Sequence, residues 1–299
     1  MRACYSPDYF VALPQGHRFP MGKFPALHRI LILQGFVRPD EVVAPIEAAW
    51  EDLLLVHSEG YLSGLKQSKL SSSTERRIGL PVSEALFRRS RLATQGTVEA
   101  GRMALEDGIA ANLAGGMHHG FPDHGEGFCV LNDVAVAVRV LRRSGRVSRI
   151  LVLDLDVHQG NGTASIFSGE PSVYTFSMHG AKNFPFKKAR SSLDVALLDG
   201  TGDRDYLNLL SLHLRCAFEQ AKPDLIYYLA GVDPVGGDRF GRLTLSREGL
   251  MRRDRLVLET AHRAGVPIAL LLSGGYAKSA EETADLHAVV HREAAEIFG

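Results

Sequence analysis

Cysteine is scarce in this chain: Cys4, Cys129 and Cys216 are its only three, and they lie far apart. That excludes a disulfide framework and a cysteine zinc cluster, and it fits a reducing compartment. Net charge is missing too. Lys and Arg total 34 and Asp and Glu total 34, so no global field draws the protein to nucleic acid or to an anionic membrane surface. No apolar run reaches the roughly 18 residues of a membrane span, and the opening MRACYSPDYF lacks the charged-then-apolar pattern of a signal peptide. These absences lead us to expect a soluble, cytoplasmic protein without direct nucleic-acid partners, its oligomeric state left open. There is no internal repeat. The serine- and charge-rich stretch 67–77 is expected to be a surface loop. The basic clusters Arg142, Arg143, Arg146, Arg149 and Arg252, Arg253, Arg255 follow helical patterns and are expected to be solvated helix faces.

What is present is a core. With 299 residues and 45% hydrophobic content, the chain can bury a large one, and we read it as a single domain over 1–299. Short apolar runs at 110–114, 150–156, 172–177, 225–230 and 268–272 read as strands. They alternate with helical periodicity at 94–107, 134–143, 206–221 and 247–264, with Pro223 and Pro267 marking strand entries. Such alternation predicts a three-layer α/β/α domain with a mostly parallel central sheet.

Polar residues of catalytic type fall at the ends of four of these strands. They are GGMHHG (115–120), DLDVH (154–158), AGVDP (230–234) and SGGY (273–276). In an open parallel sheet, ligands bind beyond the carboxyl ends of the strands, so all four clusters should meet in one crevice. With a period of two, Asp154, Asp156 and His158 should project to one side. Two readings compete there. A divalent cation can offset carboxylates that would otherwise be costly to bury. Alternatively, the aspartates cap the strand end by accepting N–H bonds from the turn Gly160-Asn161-Gly162. Asp156, His158 and Asp233 offer a three-ligand set that leaves positions open for water and a carbonyl. His118 and His119 are candidate acid and base groups, Asp154 can orient one of them, and the Tyr276 hydroxyl can donate to an oxyanion. No Gly-x-Ser-x-Gly elbow is present, so attack by metal-activated water is preferred over a covalent intermediate.

The motifs GGMHHG, GFCVLND, DLDVHQGNGT, AGVDPVGGDRFG and SGGY resemble, in order and spacing, the histone deacetylase family of zinc amidohydrolases on the arginase/deacetylase fold. The forms DLDVHQGNGT and GDRFGRLTL look closest to its class IV branch. The resemblance implies one Zn2+ held by Asp156, His158 and Asp233, with His119 as general base and acid. It makes His118, paired with Asp154, an electrostatic partner and Tyr276 the oxyanion donor. It also implies that Gly127 and Phe128 form one wall of an acyl-lysine tunnel and Phe184 the facing wall. Arg29 would line an internal channel for the released acid. A structural K+ would sit near Asp154, the backbone at Asp156 and His158, and the region of Ser177 and Met178. Two positions depart from the pattern: Asn161 stands where many members have aspartate, and Phe184-Pro185-Phe186-Lys187-Lys188 replaces a glycine-containing rim. The expected substrate is an acyl-lysine protein. The other readings are a small acylated amine such as an acetylpolyamine, or a catalytically silent acyl-lysine-binding protein. Asp238, His179 and the loop residues Asp123, His124 and Glu126 are expected to lie outside the chemistry.

Overall fold

The β-branched and leucine-rich runs form the strands of one parallel sheet in the computed structural model, which describes residues 1–299. In chain order they are β1 (Ala3–Cys4), β2 (Val42–Val43), β3 (Ile109–Asn112), β4 (Ile150–Asp154), β5 (Val173–Gly180), β6 (Leu193–Leu197), β7 (Leu225–Leu229) and β8 (Ile268–Leu271). The spatial order is β2-β1-β3-β8-β7-β4-β5-β6, and every pairing is parallel. β1, β2 and β6 were not foreseen. The first two are too short to carry a period, and β6 alternates buried and exposed residues at the sheet edge.

Alternation along the central strands feeds two cores. Leu151 and Leu153 of β4 join one apolar cluster, while Ile150 and Val152 join the other. Helices 203–221, 247–264 and 280–298 cover the first face, and helices 84–107 and 133–143 pack on the second. The result is a single-domain three-layer α/β/α arrangement, with both sheet faces dry, as parallel strands require.

Two expectations need correction. The stretch 67–77 is not a loop throughout, because Ser72–Ile78 is a helix; the Ser71 side chain accepts from Thr74 N and Gly79 closes the helix at φ +74°. The basic clusters are not all solvated helix faces: Arg146 and Arg149 lie beyond the helix Asp133–Arg143, and Arg253 is not on a solvated face. It is fully buried beside Asp254, 2.8 Å away.

His57 ties the loops around the sheet's carboxyl end together. Its Nδ1 donates to Phe121 O at 3.0 Å and its Nε2 accepts from Asn132 N at 3.0 Å, which requires a neutral ring. Burial pushes His57 down to about 4, and it does the same to His291. A histidine held neutral in the fold takes up its proton on unfolding. Its contribution is therefore intact above the ordinary value of 6.5 and is lost as pH falls toward 4. We expect His57→Gln, whose amide both donates and accepts, to lose less stability than wild type between pH 6.5 and pH 5 in urea denaturation. Equal losses would contradict the neutral-ring account.

Candidate active site

β3, β8, β7 and β4 are the four central strands, and they are neighbours in that order. Their carboxyl ends deliver the four predicted clusters to one place. The Asp-x-Asp-x-His segment reaches it by a different route from strand alternation. β4 ends at Asp154, and the chain then turns in steps held by its own carboxylates: Asp154 Oδ1 accepts from Asp156 N (3.1 Å) and Asp156 Oδ1 from His158 N (2.9 Å). The aspartates thus accept backbone N–H groups, but not those of the glycine turn 160–162.

From β7, Asp233 Oδ1 accepts from Val157 N at 2.9 Å. The ligand atoms of Asp156, His158 and Asp233 all lie within 4.8 Å of one another, and all three residues are buried. His158 Nδ1 hydrogen-bonds Asp156 Oδ1 at 3.0 Å and stands 3.2 Å from Asp233 Oδ2. That Asp233 oxygen has no hydrogen-bond partner despite complete burial. A buried carboxylate oxygen without a partner is costly. Two carboxylates and one imidazole converging on a common point form a donor set suited to a divalent ion.

The glycines of SGGY make this approach possible. A Cβ on Gly274 would collide with Asp233 Oδ2 and lie 2.6 Å from Asp156 Oδ2. Gly274 N donates to Asp156 Oδ2 at 2.6 Å. Beneath the ligands, Arg253 Nη1 donates to Gly231 O (2.6 Å) and Leu155 O (3.3 Å), tying together the ends of the two ligand-bearing strands.

The histidine pair is held by Asp133, whose carboxylate accepts from Gly116 N (3.0 Å) and Met117 N (2.7 Å). His118 Nδ1 meets Asp154 Oδ2 at 2.7 Å. Burial opposes charge on this ring, but Asp154 and Asp156 outweigh it and push His118 up to about 9. His119 differs. Its burial, followed by the neighbouring His118 and His158, holds it well below the usual histidine range. Its Nδ1 meets Asn161 Oδ1 at 2.7 Å; an amide oxygen only accepts, so Nδ1 carries the proton and Nε2 is left free. Asn161 Nδ2 in turn donates to Glu126 Oε1 at 2.5 Å, which fixes the amide's orientation. Glu126 is therefore part of the site, contrary to its reading as a solvated loop residue. Only the fold brings it opposite Asn161, 35 residues away.

Tyr276 is buried, and desolvation, then Asp156 and Asp233, keep its hydroxyl protonated and able to donate. Asp238 accepts from Phe240 N (2.8 Å), Gly241 N (3.0 Å) and Tyr276 N (2.6 Å), so it fixes the loop that presents the tyrosine.

Gly127, Phe128 and Phe184 line a cavity of about 630 Å³ that descends to His119, His158 and Tyr276. Gly127 has φ +56° and Phe128 φ +66°, a conformation uncommon for a bulky residue. A Cβ at Gly127 would meet His119 Cδ2 at 2.6 Å. The Phe184 ring centre lies 4.9 Å from that of His119, and Phe240, missed from the sequence, stands 4.9 Å from Tyr276.

Behind the ligands, a smaller cavity of about 40 Å³ reaches Arg89, Phe24 and Met117. Arg29 does not line it: its guanidinium pairs with Glu281 at 2.6 Å on the surface. Arg89 occupies the inner position instead, its guanidinium 4.7 Å from the centre of the Phe24 ring. Sequence offered no means of separating Arg89 from the exposed Arg88 beside it. His179 faces Ser177 Oγ at 2.9 Å, with burial lowering it to about 4, and it lines neither cavity.

A parallel α/β sheet whose central strand ends carry this acid, base and donor constellation defines a hydrolase. The comparisons specify which kind: residues 17–291 match the histone deacetylase domain, and the chain belongs to the histone deacetylase family. It is 47% identical over 296 residues to an uncharacterised protein of Picosynechococcus, covering 98% of each chain. It is 34% identical to histone deacetylase 2 of Arabidopsis thaliana, covering 92% of this chain and 74% of that one. A crystal structure of an HDAC homologue complexed with SAHA superposes with a TM-score of 0.79 at 25% identity, covering 99% of this chain and 88% of the other.

Gly274→Ala inserts a methyl group between the two ligand carboxylates. We expect it to weaken divalent-metal binding about 10- to 100-fold in equilibrium dialysis. Unchanged affinity would mean that the ion is held elsewhere.

Proposed function

We propose that this protein is a zinc-dependent lysine deacylase of the class IV type, hydrolysing the amide of an N-acyl-lysine side chain. The observation that carries the reading is the fully buried Asp233 Oδ2, without a hydrogen-bond partner, beside Asp156 and His158, the last of which lines a cavity open to the surface. Asp156, His158 and Asp233 would hold the ion. When bound, it supplies Lewis-acid polarisation of a carbonyl and acidifies water.

The chain's own residues account for the remaining steps. His119 Nε2, free and neutral, accepts the proton of the attacking water and returns it to the leaving lysine amine. Asn161 serves this base by fixing its tautomer. Being neutral, the amide stabilises the protonated ring less than a carboxylate would, and Glu126 places a negative charge one hydrogen bond further out. His118, charged through Asp154, supplies positive potential beside the oxygen that becomes anionic, and the Tyr276 hydroxyl donates to that oxygen. Gly127, Phe128 and Phe184 wall the approach of the acyl-lysine stem and exclude water from it. A structural K+ beside Asp154 is part of the same proposal; Asp154 is in register with Ser177 across β4 and β5, which brings the named groups together.

Zinc-loaded protein should hydrolyse at least one member of a panel of acyl-lysine peptides spanning acetyl to long fatty acyl groups. It should lose that activity to a chelator and regain it with zinc. Tyr276→Phe should retain the metal and lower kcat by about 10²- to 10³-fold. Absence of turnover across the panel by zinc-loaded protein would overturn the proposal.

A further inference from the structure

Charge is balanced over the whole chain but not at the mouth of the larger cavity. Five cationic side chains line it, Arg18, Arg76, Arg77, Lys182 and Arg242, against the single carboxylate of Glu126. Glu126 is already engaged by Asn161 at 2.5 Å. All five cations are exposed, and few have partners. Lys182 and Arg242 share one carboxylate, Asp199, at 4.0 and 3.3 Å. Arg18, Arg76 and Arg77 have no carboxylate within 4.0 Å, although most arginines elsewhere on this surface do. Arg18 is held in place by the Phe240 ring, 5.3 Å from its guanidinium carbon. Arg76 and Arg77 end the short helix Ser72–Ile78, and the backbone joins them to the cavity wall, since Arg77 O accepts from Gly127 N at 3.1 Å.

Resting on the deacylase reading, we infer that the mouth selects acyl-lysines whose flanking residues are acidic. Unpaired cations on the low-dielectric wall of a cleft raise the local concentration of anionic ligands and repel cationic ones. A peptide entering with its acylated, uncharged lysine inside the cavity leaves its neighbouring residues at the rim, against Arg18, Arg76 and Arg77. The same field disfavours a polyamine, whose remaining amines would be protonated where the cations stand. The mouth therefore separates two substrate classes that the inner site alone does not distinguish.

The test uses the zinc-loaded 299-residue protein and three peptides with the same acyl-lysine, flanked by aspartates, by neutral residues or by lysines. At low ionic strength kcat/KM should be higher for the acidic than for the basic peptide by about tenfold or more. The ratio should shrink toward one as salt screens the rim. Replacing both Arg76→Glu and Arg77→Glu should lower the ratio, and the salt titration of the wild type gives the same information should that variant fold poorly. An acetylated polyamine should be a poorer substrate than the neutral peptide. A ratio near or below one at low salt, with the neutral peptide turned over, overturns this inference and leaves the deacylase reading standing. Failure on all three peptides and on the wider acyl panel overturns both.

Discussion

Three carboxylates, Asp154, Asp156 and Asp233, are buried at adjoining strand ends, and the rest of the site is arranged around meeting their charge. The protein answers most of it itself. Backbone N–H groups of Asp156, Val157, His158 and Gly274 point at these oxygens, and His118 is drawn into its charged form. Lys23, fully buried, stands behind them and donates to Ser273 O at 2.9 Å. One oxygen of Asp233 is left without a hydrogen-bond partner, with His158 Nδ1 3.2 Å away. An oxygen so placed, beside an imidazole nitrogen and a second carboxylate, gives the cluster a donor set suited to a cation.

The same constraint orders the histidine pair. Two imidazoles this close repel when both are charged, so the pair loses its protons in two separate steps. Here one faces a carboxylate and the other an amide, so they separate into a charged ring and a neutral one. Burial and the neighbouring His118 and His158 leave His119 uncharged, while Asn161 fixes its tautomer and Glu126 behind it sets which end of the amide faces the ring. The electrostatics then reverse with distance from the metal site: an anionic floor below, and a cationic rim above at Arg18, Arg76 and Arg77.

Much of this was legible in the sequence because the informative residues sit at strand ends. The apolar runs at 150–156 and 225–230 mark β4 and β7, although β4 stops at Asp154 and the turn after it, not the strand, carries Asp156 and His158 to Asp233. What was not legible depends on contacts between distant segments. Arg29 and Arg89 both lie on helices. The pattern of their neighbours does not reveal that the first reaches Glu281 in solvent while the second enters the inner cavity. Arg253 looked like one more exposed base in a charged helix, yet it bonds the carbonyls at two strand ends. The rim cations Arg18, Arg76 and Arg77, Lys182 and Arg242 come from four separate regions of the chain, each unremarkable alone. Short strands such as Ala3–Cys4 and Val42–Val43 escaped because two residues carry no period.

The central claim is that these buried carboxylates hold a catalytic cation, and anomalous diffraction at the zinc edge from zinc-soaked crystals tests it most directly. The account predicts one strong peak among Asp156, His158 and Asp233, within bonding distance of a donor atom from each. An empty position there, with zinc bound only by surface histidines or carboxylates, would contradict it.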